Sequence, residues 1–211
     1  MHASVIFAII VRLFVEALIP KMTDNSSLRD ALIRALKDGD ESVRKAAAKS
    51  LEKLEGKQNL PALIEAFRRG DKRTRMQAVY ALAKISLPQA LETLVEALKS
   101  EEEDIRAASC RVLGQRCDPS AVSALVKCLD DPSIAVKTTA LDALGNYQDP
   151  KLVPILIDLL KTDNKYLLQS AIEALGRIGS KDAEEPLERL LHHPEPEVRR
   201  AAAAALGEIE T

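Results

Sequence analysis

Shifting the sequence against itself by 31 residues aligns Leu51, Leu82, Leu113, Leu144, Leu175 and Leu206 without a gap. The same step joins Leu32, Leu63, Leu94, Leu125, Leu156 and Leu187, and a third column runs Leu36, Phe67, Leu98, Leu129, Leu160 and Leu191. Three apolar columns repeated six times at one period dictate an array of like units, each leaning on its neighbours, rather than one closed core. Counted back from the C-terminus, the units occupy 26–56, 57–87, 88–118, 119–149, 150–180 and 181–211, with 25 residues in front.

Inside a unit the apolar positions recur every three or four residues in two runs, as in Leu28, Leu32, Ala35, Leu36 and then Val43, Ala47, Leu51, Leu54. That is helical periodicity twice over, so each unit reads as a helical hairpin. Polar turns such as Lys37 to Asp40, Asp130 to Ser133 and His192 to Pro196 separate the runs. Asp118-Pro119 and Asp149-Pro150 set a capping carboxylate before a proline at the first helical position. The composition agrees: 46% of residues are hydrophobic, yet there are three Phe, three Tyr and no Trp, so Leu, Ala, Ile and Val must build the core. Small residues at Ala47, Ala78, Ser109, Ala140, Ala171 and Ala202 let neighbouring second helices approach closely. The expected fold is all-α, an α-solenoid of six 31-residue hairpins.

The second runs "VRKAAAKSLEKL", "IRAASCRVLGQR" and "VRRAAAAALGEI" resemble the short HEAT-like repeats first associated with phycobilisome lyases. The resemblance spans 26–211. It implies a right-handed solenoid, an armadillo-like superhelix, whose second helices line the concave face. One such architecture hosts many activities, so function must be argued from side chains.

A cation recurs at Arg44, Arg75, Arg106, Lys137 and Arg199, with an acid four residues earlier at Asp40, Asp71, Glu102 and Glu195. That spacing suits an ion pair or a cap at the start of the second helix, a structural role. Deoxyhypusine hydroxylase, a relative of this fold, holds iron through His-Glu dipeptides directly after the equivalent arginine. Here those positions read Lys45-Ala46, Met76-Gln77, Ala107-Ala108, Thr138-Thr139, Gln169-Ser170 and Arg200-Ala201, which excludes that iron activity. His192 and His193 sit in a polar turn, Cys110 and Cys128 fall in core columns, and Cys117 lies at a hairpin end. Neither a Gly-rich phosphate loop, a nucleophile elbow nor zinc spacing occurs, so no catalytic residue, metal or cofactor is assigned.

Removing the buried stripe leaves a row on the second helices for a partner: Lys45, Lys49, Arg73, Met76, Tyr80, Lys84, Arg111, Asp142, Tyr166, Glu173 and Arg177. The row begins basic and ends mixed. Residues 22–100 carry 15 basic and 11 acidic side chains, net +4, whereas 101–211 carry 13 and 20, net −7. A scaffold or adaptor that binds a protein partner in its concave groove is the expected function. A tetrapyrrole (bilin) lyase-like protein or chaperone is the alternative that the resemblance implies. Weak nucleic-acid binding is a third reading, disfavoured by the missing Trp and the acidic second half.

Ala3 to Ile19 holds 14 apolar residues in 17 and falls outside the columns. It is too short and too charged, with Arg12 and Glu16, to read as a membrane span, and no cleavage site marks a signal peptide. The expectation is an N-terminal apolar helix over 1–25 that packs on the first repeat or on another subunit, with membrane association or a start at Met22 as alternatives. Three unpaired cysteines point to a reducing compartment, hence a cytoplasmic protein, of open oligomeric state.

Overall fold

The computed structural model describes residues 26–209, and the expected N-terminal apolar helix over 1–25 lies outside them. The described residues are helices joined by turns, with no strand among them. The chain divides into two compact units, one ending at Thr93 and the other starting at Leu94.

In the first unit, α1 (Ser26–Ala35) is followed by α2 (Glu41–Arg69), α3 (Lys72–Leu82) and the start of α4 (Pro88–Ala97). Leu60, Leu63 and Phe67 of α2 are buried, as are Ala78, Val79 and Leu82 of the packed α3. The break expected between the units 26–56 and 57–87 is not made: α2 runs unbroken for 29 residues. The three boundaries of the second unit explain why. Each of these carries a residue in the left-handed region, Cys117, Gln148 or Gly179. A capping oxygen from Asp118, Asp149 or Ser180 follows, and the first two are followed in turn by a proline. The corresponding positions at the first boundary are Glu55, Gly56 and Lys57, which supply neither cap nor proline. Gly56 permits a break, but nothing there enforces one. Pro61 therefore falls inside a helix, whereas its counterpart 93 positions on, Pro154, sits harmlessly in the first turn of a helix.

In the second unit, α5 (Glu103–Arg116) leads to α6 (Val122–Lys127), α7 (Ile134–Asn146), α8 (Val153–Leu159), α9 (Lys165–Ile178), α10 (Glu184–Leu190) and α11 (Pro196–Gly207). Short 3-10 turns at Pro119–Ala121, Pro150–Leu152 and Lys181–Ala183 open the first helices of the repeats. The second helices α5, α7, α9 and α11 pack side by side. A Cβ placed on Gly114 would come within 2.6 Å of Ala143, and one on Gly176 within 2.8 Å of Ala205, so only glycine allows this approach. Leu113, Leu144 and Leu175 are fully buried along the same seam.

At three of the hairpin turns the recurring cation ties the chain. Arg44 Nη1 donates to the carbonyls of Asp38 and Gly39 at 2.7 and 2.9 Å. Arg106 donates to Ser100 and Glu101 at 2.8 and 3.0 Å, and Arg199 to His193 and Pro194 at 2.7 and 2.8 Å. Its partners are thus orphan carbonyls at the end of the first helix and the turn, not the acid four residues earlier. Those acids act separately: Asp40 accepts from the Ser42 and Val43 N–H groups and Asp71 from Thr74, whereas Glu102 and Glu195 make no such bond.

Replacing Leu113 or Leu144 by Ala removes a fully buried side chain and should cost about 2 to 5 kcal/mol. Urea denaturation checks this; a loss below about 1 kcal/mol would put the seam elsewhere.

Candidate functional site

The chemistry of the titratable groups separates those that hold the fold from those that face solvent. Arg106, after clamping its own turn, makes a two-point ion pair with Asp131 of the following repeat, Nε to Oδ2 at 2.7 Å and Nη2 to Oδ1 at 2.9 Å. Both side chains are largely buried. Burial pushes the Asp131 carboxyl up, but hydrogen bonds from Arg106 and the Ser133 N–H, with the Arg106 and Lys137 charges, outweigh it and hold the group below its ordinary value. Cys110 and Cys128 are buried, as the columns require, and Cys128 Sγ donates to the Ala124 carbonyl at 3.4 Å. The neighbouring Cys128 thiol, reinforced by burial, pushes Cys110 up, and Cys110 lowers Cys128 against burial. Cys117 is exposed at the left-handed end of α5, its thiol donating to the Gly114 carbonyl at 3.0 Å. His193 Nδ1 accepts the Glu195 N–H at 3.1 Å, so this histidine shapes its turn. Among the described residues, no group of three or more His, Cys, Asp or Glu is gathered as a metal site.

The row of candidate partner-binding residues is distributed as follows. On α2, Lys45 and Lys49 share an exposed face, and Lys45 pairs with Glu41 at 2.7 Å. Arg73, Met76 and Tyr80 lie along one face of α3, and Lys84 follows in the turn beyond it. Because α2 is continuous and Gly56 touches Ile85 just past α3, α3 runs back only as far as the middle of α2. Lys45 therefore lies about 37 Å along the helix axis from the Gly70 turn that leads to Arg73. The basic end is not one contiguous patch. On the second unit, Arg111, Asp142 and Glu173 occupy equivalent exposed positions on α5, α7 and α9. Asp142 is bound to Arg177 at 2.9 Å across α7 and α9, a pair 35 residues apart that the sequence did not disclose. Glu173 accepts from Gln169 at 2.9 Å. Tyr166 stands 61% exposed, with the Lys165 ammonium 5.3 Å from its ring centre.

An apolar pocket of about 530 Å³ in the first unit, lined by Lys57, Leu60, Pro61, Ile64, Leu87 and Gln89, was missed by sequence reasoning. It adjoins the segment where α2 runs on, and the missing turn was its only signal in the sequence.

Helical hairpins at a fixed period, stacked in the second unit through their second helices, define an α-hairpin repeat protein. The HEAT repeat profile matches residues 11–83, 29–109, 91–174 and 159–211, and the chain belongs to that family. Among solved structures, it is similar to a designed armadillo repeat protein in complex with the peptide (KR)4, at 21% identity, TM-score 0.56, covering 85% of this chain and 98% of that one. It is also similar to YibA of Escherichia coli, at 22% identity, TM-score 0.53, covering 89% and 71%. A third likeness is the complex of CpcE and CpcF of phycocyanin lyase from Nostoc sp., at 23% identity, TM-score 0.49, covering 90% and 78%. No curated protein matches in sequence. No helix among the described residues is long and apolar enough to cross a membrane.

A depressed carboxyl such as Asp131 stabilises the fold above its unfolded value near 4, and that share is lost as pH falls through its folded value. Asp131→Asn should be less stable than the parent at pH 7, with the gap narrowing below about pH 4. Arg106→Met, which leaves the carboxylate buried and unpaired, should cost about 3 to 5 kcal/mol at pH 7. Urea titrations at pH 7 and pH 3 check both.

Proposed function

We propose that the protein is a non-catalytic scaffold whose second-helix faces bind an extended segment of a protein partner. One observation carries this reading: the strongly displaced or buried polar groups are consumed by turns and inter-repeat ties, while Arg111 and Tyr166 project from equivalent helices with no structural task of that kind. A large amphipathic ring beside cationic and anionic side chains is the composition of an interface anchor. Repeat arrays present extended surfaces of this kind, and a designed armadillo protein of similar fold is solved with a peptide. The Asp142–Arg177 pair is half-exposed and solvated, so its members exchange partners at small cost.

Affinity capture from the native cell, read by mass spectrometry, tests the reading. Tyr166→Ala with Arg111→Glu probes the second unit, and Lys45→Glu, Lys49→Glu and Arg73→Glu probe the first. At least one set should reduce capture of a defined partner about tenfold or more, equivalent to 1.4 kcal/mol, at unchanged melting temperature. Retention of every partner by both sets would remove the faces from consideration.

A further inference from the structure

Three cysteines occur in 211 residues, and two of them share one seam inside the second unit. Cys110 lies on α5, the second helix of one repeat, and Cys128 opens the 3-10 turn that closes α6, the first helix of the next. In other repeats the same two columns hold Val79 and Ala97, Leu141 and Leu159, or Ile172 and Leu190. Apolar side chains serve the core there, so nothing in the fold requires sulfur at both positions at once. The Arg106–Asp131 ion pair fixes how the two segments meet. Cys110 stands one helical turn beyond Arg106 on the same face of α5, and Cys128 three residues before Asp131. The two thiols are accordingly neighbours, Cys110 fully buried and Cys128 6% exposed.

We propose that Cys110 and Cys128 form a reversible disulfide when the chain meets a peroxide, a covalent tie between successive repeats beside the Arg106–Asp131 pair. Hydrogen peroxide is small enough to reach so closed a site. Cys128 reacts first, being the more exposed and held below its ordinary value by its neighbour. Its sulfur bonds one peroxide oxygen, the O–O bond breaks, and the other oxygen leaves as water with the thiol proton. The Cys110 sulfur then attacks Cys128 Sγ, the S–O bond breaks, and that oxygen leaves as water with the Cys110 proton. Two thiols are oxidised and one peroxide is reduced to two waters. A small-molecule thiol reverses the bond by exchange. Cys117 stays apart, its thiol donating to the Gly114 and Asn146 carbonyls at 3.0 and 3.5 Å. The proposal is independent of the partner-binding reading.

The test treats the full chain with hydrogen peroxide in native buffer, alkylates the remaining thiols in denaturant, and reads the unreduced tryptic peptides by mass spectrometry. Trypsin places the three cysteines on separate peptides, 107–111, 117–127 and 128–137. The native chain should yield the link between 107–111 and 128–137 alone, so that alkylated cysteines fall from three to one, Cys117. Dithiothreitol should restore all three. In urea, where closing a shorter loop is easier, links through Cys117 should appear as well. The proposal is overturned if both thiols stay free in native buffer, if Cys128 proceeds to a sulfinic acid without a link, or if the native chain gives the same mixture of links as the chain in urea.

Discussion

The contact between successive second helices governs everything else in the second unit. A helical hairpin has too little interior to bury its own leucines, so Leu113, Leu144 and Leu175 become core only when another helix arrives at close range. That range is set by backbone, because Gly114 and Gly176 leave no room for even one methyl group between them and Ala143 or Ala205. Once helices lie this close, the turns joining them are under tight positional control. The guanidinium groups of Arg106 and Arg199 supply it by closing two carbonyls each.

Period and helix type were legible because apolar spacing reports them directly: every column leucine from Leu63 to Leu187 in the second column is buried. Caps at Asp118 and Asp149 were legible too, since Asp followed by Pro has a local mechanism. The fusion of α2 was not read, although its cause is local. The period continues through Gly56 whether or not the helix breaks there, and periodicity speaks of faces, not of ends. The true partners of the recurring cation escaped for a different reason. An acid at four residues is visible in a sequence, whereas a carbonyl five or six residues back is present behind every side chain and carries no letter. Asp131 and Arg177 find their partners one repeat away, at 25 and 35 residues, a distance only the stacking brings to hydrogen-bond length.

For the candidate site the same division holds. Exposure of Tyr80, Arg111 and Tyr166 follows from their place off the buried stripe. Grouping does not follow, because it depends on where helices stop: Lys45 and Lys49 are carried away from Arg73 by a helix that does not stop. The function argued for this chain accordingly rests on what the side chains are left free to do, and the residues with the most perturbed surroundings are the least informative about it.

The unbroken α2 also has a mechanical meaning. Pro61 lacks the N–H that would close the ladder onto Lys57, so the helix is weakest in bending near that point. Glu41 lies about 30 Å up the axis from it. Bending by about 10° there swings the tip through about 5 Å, the length of one helical turn. The first hairpin thus sits at the end of a long arm whose weakest point lies beside the apolar pocket lined by Lys57, Leu60, Pro61 and Ile64.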